Sequence, residues 1–556
     1  MHGKTLIALA CTALLSACGG GDGGSTGNPA TPSNGTPNPP AATETPLALD
    51  CARIAQLALP GTTLSTASVP AGTVLSGNTL PEHCVVTGQM NPRTGADGKP
   101  YHIGFELRLP KSWNGRFMFQ GGGGNDGTVR PALGALAGNA GSLPGLQTGA
   151  LAQGFAVVST DAGHQGTDAS FGLDPQARID HAYNSYDQVT LAAKDLIARA
   201  YGRAPDHSYF VGCSGGGRQA LLFPQRFPNH FDGVAANAPA IKVAKEATLA
   251  SVWSSIGYRA IAPGGVLAQA LSDSDLKLVA NAVLQRCDGL DGAVDGIVAA
   301  NPGACNFDPA VLQCSGAKTD SCLTAGQVGA LKRDFGGPRN SAGHPLYASW
   351  PWDPGIAGAD WRNWRLGTSA TAEPNSRNVT LIAADAMRKE FFTPAAPDFD
   401  FWSFNFDTDP ARLDAYAAIY NTASTDVGAF KQRGGKMLIV HGTADPIFSA
   451  SDSIDYVERL AAAHGGAAQA QQFARLFLVP GMNHCSNSGG PATDLYDALT
   501  PLVEWVEKGQ APERIVAKAA ATAPWPGRTR PLCPYPKIAQ YNGSGSVEDA
   551  ASFSCE

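Results

Sequence analysis

The chain has 556 residues, 43% of them apolar and 16% charged; 40 Lys and Arg against 47 Asp and Glu give a formal net charge of −7. That length supplies two or three cores, or one large domain carrying a big insertion. The mild acidic balance, with no block of Lys or Arg, excludes nucleic acid and an anionic membrane surface as partners.

At the N-terminus Lys4 precedes the apolar run "LIALACTALL". The run is too short to span a bilayer and reads as a secretory h-region. It ends in Leu15-Ser16-Ala17-Cys18, small residues directly before a cysteine, which resembles a bacterial lipobox. Residues 1–18 are therefore read as a lipoprotein-type signal, with Cys18 the lipidated N-terminus and only membrane anchor; a plain signal peptide is the alternative. Either directs export, to the outer membrane, the periplasm or the medium. Residues 19–46 are mostly Gly, Pro, Ser and Thr, which cannot offset their ordering entropy, so they read as a flexible linker. Folded structure is expected from about Leu47.

From residue 103 strands and helices alternate. "IGFELRLP" (103–110), "RFMFQ" (116–120) and "GFAVVSTDAG" (154–163) read as strands, the second running into Gly121-Gly122-Gly123-Gly124. Helical spacing of Val189, Leu196, Ile197 and Tyr201 predicts a helix over 185–201. "SYFVG" then reads as a buried strand, "GGRQALLFPQRF" as a helix and "FDGVAANAPA" as a further strand. This alternation predicts an α/β fold, a mostly parallel sheet flanked by helices.

The rhythm breaks near residue 240 and returns at "GGKMLIVHGTADP" (434–446) and "ARLFLVPGMNHC" (474–485). Residues 47–240 and 430–556 are accordingly assigned to the sheet domain and 241–429 to an inserted lid. Within the insertion "CDGLDGAVDGI" (287–297) spaces Asp288, Asp291 and Asp295 between glycines. Two readings stand level here: ordinary Asp-Gly turns, or an oxygen-only site for a hard cation such as Ca²⁺.

Gly212-Cys213-Ser214-Gly215-Gly216 fits Gly-x-Ser-x-Gly at a strand-to-helix junction, the turn that exposes a nucleophilic serine. Serine needs a base, and the base an orienting partner. Asp445 follows "KMLIV" and His484 follows "RLFLV", both past strand ends and in the order Ser, Asp, His. Singly, each is as well read as a turn aspartate or a surface histidine; together they make a catalytic triad. His441 reads as structural, and His164 as a residue that could line the pocket. The N–H groups of Gly124 and Gly215 are the expected oxyanion donors.

Beyond Cys11 and Cys18 ten cysteines remain, an even number that in an exported chain predicts five disulfides. Proximity in sequence pairs Cys51 with Cys84, Cys287 with Cys305, Cys314 with Cys322 and Cys533 with Cys555, leaving Cys213 and Cys485 unmatched. The absence of any Cys-x-x-Cys weakens zinc or thiol-redox readings.

The elbow "CS", the aspartate and the terminal "HC", together with "FGLDPQARIDHAYNSYDQVT" (171–190), "RLFLVPGMNHCS" (475–486) and "RTRPLCPYPKIAQYNGSG" (528–545), resemble the tannase/feruloyl esterase family of α/β-hydrolases. The likeness runs from about Leu47 to the C-terminus and is strongest to members that cleave a terephthalate monoester. The resemblance implies Ser214, Asp445 and His484 as the triad and a Cys213–Cys485 bond beside it. It also implies Ca²⁺ in the lid on Asp288, Asp291 and Asp295 with the carbonyls of Ala293 and Ile297. Trp364 and Phe448 match pocket aromatics. An ungapped reading puts Asn378 where such members carry a carboxylate-binding arginine, with Arg377 one residue away, Ile382 where they carry a phenylalanine, and Gly123 where they carry a serine. The expectation is a monomeric serine carboxylesterase acting on small aromatic esters, with feruloyl or galloyl esters as alternative substrates. A surface lipoprotein that only binds aromatic ligands is the non-enzymatic alternative.

Overall fold

The computed structural model describes residues 49–137, 149–485 and 491–556. The expected signal at 1–18 and linker at 19–46 lie outside them. The apolar runs read from sequence become strands whose residues are buried on both faces, as parallel strands between helices must be. In chain order the strands are β1 (Thr62–Val69), β2 (His83–Thr94), β3 (Pro100–Pro110), β4 (Arg116–Gln120), β5 (Ala156–Thr160), β6 (His207–Cys213), β7 (Gly233–Asn237), β8 (Lys436–Gly442) and β9 (Ala474–Val479). They form one sheet in the order β1-β2-β3-β5-β4-β6-β7-β8-β9. Pairings from β1 to β5 are antiparallel, and those from β5 through β4 to β9 are parallel.

The helices that matter for the site are α1 (Ser185–Tyr201), α2 (Gly215–Arg226), α3 (Ala359–Arg365), the π-helical α4 (Asn378–Phe391), α5 (Ala450–Ala463) and α6 (Leu499–Lys508). Alternation along β4 sorts its side chains between two layers. Phe117 and Phe119 pack with residues of α1, α2 and α5, whereas Met118 packs on the opposite face with Leu502 and Trp505 of α6. Fully burying such a side chain contributes about 1.5–3 kcal/mol.

Sequence alternation begins at 103, and the structure adds β1 and β2 ahead of it. The edge strand β1 reads "TTLSTASV" and buries none of its residues fully, so it carries no apolar period to detect. Residues 238–435, between β7 and β8, contribute helices and turns but no strand to the sheet. Leu249, Val252, Leu276, Val283, Trp361 and Leu413 form the core of this insertion, which continues into the sheet domain through Phe171, Ile447 and Phe448. Sheet domain and insertion thus share one compact unit.

All five disulfides are present, on the four proximal pairs and on Cys213–Cys485. The last joins the end of β6 to the loop after β9 across 272 residues of sequence, with its Cα atoms 5.9 Å apart. Among the described residues no helix is long and apolar enough to cross a membrane.

Candidate active site

Ser214 sits between β6 and α2 with φ 63° and ψ −122°, a conformation L-residues avoid, at a typical cost of about 1–3 kcal/mol. The flanking glycines make that turn possible. A Cβ on Gly212 would lie 2.5 Å from the Gly216 carbonyl oxygen, and one on Gly216 would lie 2.7 Å from that of Gly122. The turn is further pinned by Ser214 N–H donating to the Asn237 carbonyl at 3.0 Å and Ala240 N–H donating to the Ser214 carbonyl at 3.2 Å.

Asp445 and His484 lie beyond the C-terminal ends of β8 and β9, as read from sequence. His484 Nδ1 is 2.7 Å from Asp445 Oδ2, and the buried Asp445 Oδ1 accepts the N–H groups of Ile447 and Phe448 at 2.9 and 3.0 Å. Burial alone would raise the Asp445 carboxyl. The His484 charge and hydrogen bonds from His441 and His484 overcome that and hold it well below the usual carboxylate range. His441 is a supporting residue: its Nδ1 is 2.7 Å from Ser453 Oγ and its Nε2 3.4 Å from Asp445 Oδ2. His484 Nε2 is buried and has no hydrogen-bond partner among the described residues, and it shares a cavity with Ser214.

Sequence reading missed a second carboxylate beside His484. Asp360, on α3 of the insertion, accepts the His484 backbone N–H through Oδ2 at 3.3 Å. Burial pushes His484 down, but Asp445 and then Asp360 outweigh it, with Arg377 opposing them, so the imidazole is raised above its ordinary value. Asp360 itself is raised, chiefly by burial. Only tertiary structure brings α3 to this loop, so no local signal marks Asp360.

The backbone N–H groups of Gly124 and Gly215 carry no hydrogen bond among the described residues, whereas Gly121, Gly122 and Gly123 donate theirs. Gly124 has φ +65°, a left-handed conformation that favours glycine, and a Cβ on Gly215 would lie 3.7 Å from Gly124 N. Gly124 and Gly215, each with a free N–H among the described residues, thus line the same cavity as Ser214, and Gly215 opens α2, where the helix dipole favours negative charge.

The cavity encloses about 270 Å³. Its wall includes Trp364, Phe448, Arg377 and Ile382, all four named from sequence, together with Asn125, Arg130, Leu381 and Tyr420, which were not. Trp364 and Phe448 meet the His484 ring edge-on at 5.5 and 5.4 Å between centroids, and the Arg377 guanidinium lies 5.4 Å from the Trp364 ring centre. Two expectations are corrected. Asn378 is fully buried, turns its Nδ2 to Ser254 Oγ at 3.4 Å and takes no part in the wall. His164 does not line the pocket either: it lies behind the glycine loop, Nε2 2.7 Å from the Asn125 carbonyl, stacked on Phe171.

In the 287–297 loop Asp288, Asp291 and Asp295 are all buried, with oxygen-only donors suited to a hard cation. Each accepts backbone N–H groups of its own loop, and Arg530 pairs with Asp295. Among the described residues no three acidic side chains converge as a metal cluster. The donor chemistry fits the ion; the side chains as they stand are partnered without it.

A family model described as tannase and feruloyl esterase matches residues 84–556. The mono(2-hydroxyethyl) terephthalate hydrolase of Piscinibacter sakaiensis is 45% identical over 532 residues, 86% of this chain and 86% of that protein. The crystal structure of feruloyl esterase B from Aspergillus oryzae superposes with a TM-score of 0.75 at 26% identity, covering 90% of this chain and 98% of that one. The tannin acyl hydrolase from Aspergillus niger shares the fold, with a TM-score of 0.69 at 22% identity over 90% of this chain and 92% of its own. The chain belongs to the tannase and feruloyl esterase family, has the α/β-hydrolase fold and is a carboxylic ester hydrolase. That sets aside the non-enzymatic ligand-binding reading.

Two predictions follow from this geometry. With His484 as base, activity is lost as pH falls through its raised value, so the acid limb of kcat/KM should lie above pH 6.5. Asp360→Asn removes a raising charge and should move that limb to lower pH; an unmoved limb in a pH–rate profile would show Asp360 to be electrostatically silent. Replacing Cys213 and Cys485 together by Ala should lower kcat about 10–100-fold through misplacement of serine and base, with circular dichroism still native at 25 °C. A wild-type kcat would make the bond a stability device only, which the chain-entropy model values at roughly 5 kcal/mol.

Proposed function

We propose that the protein is a serine carboxylesterase for aromatic acid esters that also bear a free carboxylate. Mono(2-hydroxyethyl) terephthalate, cleaved to terephthalate and ethylene glycol, is the best fit. One observation carries the reading: Ser214, His484 Nε2, two free amides and the Arg377 guanidinium line a single small cavity. Among the described residues no Asp or Glu lines that wall, so an anionic ligand meets only positive and neutral groups of theirs there.

On this reading Ser214 Oγ attacks the ester carbonyl while His484 Nε2 takes its proton. Asp445 fixes the imidazole with its proton on Nδ1 and stabilises the charge that develops. The N–H groups of Gly124 and Gly215 receive the oxyanion. His484 then protonates the leaving alkoxide, and the alcohol departs. Water, deprotonated by the same imidazole, releases the aromatic acid from Ser214. Trp364, Phe448 and Ile382 supply apolar contact for the ring, and Arg377 pairs with the distal carboxylate. Feruloyl esters are the second reading, because the aromatic walls would accept them without using Arg377. Galloyl esters are a further alternative, for which Asn125, Arg130 and Tyr420 in the wall are the polar side chains at hand.

A structural Ca²⁺ on Asp288, Asp291 and Asp295, with the carbonyls of Ala293 and Ile297, belongs to the same proposal. It is supported by three buried carboxylates in one loop against a single paired guanidinium, a net negative charge that a hard dication would neutralise. Five disulfides support export to an oxidising compartment.

Two experiments test these readings. Steady-state kinetics on mono(2-hydroxyethyl) terephthalate, methyl ferulate and methyl gallate should favour the first. Arg377→Ala should raise KM for that substrate about tenfold or more, at about 1.5–3 kcal/mol for a charge-assisted hydrogen bond, and leave the uncharged esters nearly unchanged. An equal effect on all three would refute the clamp. Chelation with EDTA should lower the Tm, and added Ca²⁺ should restore it; a Tm indifferent to both would show that the loop holds no such ion.

A further inference from the structure

The two free amides belong to separate segments: Gly124 to the loop after β4, Gly215 to the first turn of α2. Their spacing must be held by something that touches both. Gln219, four residues beyond Gly215 on α2, does so. Its Oε1 accepts the Gly122 N–H at 3.1 Å, two residues before Gly124. Its Nε2 donates to Asp126 Oδ2 at 3.1 Å and to Tyr186 Oη at 2.9 Å. Asp126 Oδ1 in turn accepts the Gly123 N–H at 2.7 Å.

One amide side chain on the nucleophile's own helix thus captures the loop from both ends, directly at Gly122 and through Asp126 at Gly123. The N–H groups of Gly122 and Gly123 are consumed by these bonds, and that of Gly124 is left free. Gln219 is 1% exposed, so the bonds are made away from water and set positions tightly. The loop has little freedom to comply otherwise. A Cβ on Gly122 would lie 2.6 Å from Asp126 Oδ2, Asp126 holds φ 39°, and His164 Nε2 sits 2.7 Å from the Asn125 carbonyl.

We propose that Gln219, acting through Gly122 and Asp126, is the positioning residue that sets the separation of the two oxyanion donors. It touches no reacting atom. The proposal rests on the serine-esterase reading, with Gly124 and Gly215 as donors. Its signature is selective: loss of Gln219 weakens binding of a tetrahedral transition state, not of a planar ground state.

The test uses Gln219→Met, Asp126→Asn and the double variant Gln219→Glu with Asp126→Asn. The double variant reverses the hydrogen bond between the two side chains, the new amide at 126 donating to the new carboxylate at 219. Both new side chains keep an acceptor for the Gly122 and Gly123 amides. The readouts are kcat, KM, the rate at which an aryl phosphonate labels Ser214, and the affinity for the product acid. Gln219→Met should lower kcat and the labelling rate together by about 10–100-fold, with KM and product affinity within about twofold. The double variant should recover most of what Asp126→Asn alone loses, which also decides the matter if Gln219→Met fails to fold. Wild-type labelling in a folded Gln219→Met, a parallel fall in product affinity, or a double variant no faster than Asp126→Asn would each overturn the proposal. A wild-type enzyme that the phosphonate does not label at Ser214 would instead bring down the serine mechanism on which it rests.

Discussion

The site depends on a backbone contact, the close approach of three glycine-bearing segments around the turn at Ser214. Gly121, Gly212 and Gly216 come so near that a Cβ on Gly121 would lie 3.0 Å from the Cα atoms of the other two. That approach brings the end of β4 against the start of α2 and so places two free amides side by side. It also forces Ser214 into its left-handed conformation, which presents the hydroxyl at the cavity. The strain is offset by bonds from β7 and the following loop, and by the Cys213–Cys485 bridge, which fastens the turn to the loop carrying His484. Cys213 is therefore a tie between the Ser214 turn and the His484 loop.

The insertion completes the site that the sheet begins. Asp360 and Trp364 on α3 reach the His484 loop, and Arg377, Leu381 and Ile382 at the start of α4 form a wall opposite Ser214. The sheet domain supplies Ser214, Asp445 and His484, and the insertion supplies the Asp360 and Arg377 charges around the imidazole and part of the cavity wall. Asp360 and Arg377 act on His484 with opposite sign.

Much of this was legible in the chain. Ser214, Asp445 and His484 each follow an apolar run, and their order restricts the topology, so their meeting at one end of the sheet could be read without coordinates. The disulfides followed from proximity and from family likeness. The rest failed for identifiable reasons. Strand β1 is a sheet edge whose apolar residues Leu64, Ala67 and Val69 do not alternate, so its sequence shows no apolar period of two. The expectation at Asn378 came from an ungapped reading, and a one-residue shift at the N-cap of α4 is what puts Arg377 in the wall and Asn378 in the core. Asp360, Asp126 and Gln219 act through contacts between distant segments. From sequence each is only one polar residue among others.

On the proposed mechanism the ester's acyl group passes through Ser214. Acid-quenched turnover of an aromatic ester with a slow deacylation step, followed by peptide mapping with mass spectrometry, tests this directly. One acyl group is expected on the peptide containing Ser214, accumulating in a burst that matches the released alcohol, and absent in Ser214→Ala. A burst with the acyl group on another residue, or full turnover by Ser214→Ala, would contradict it.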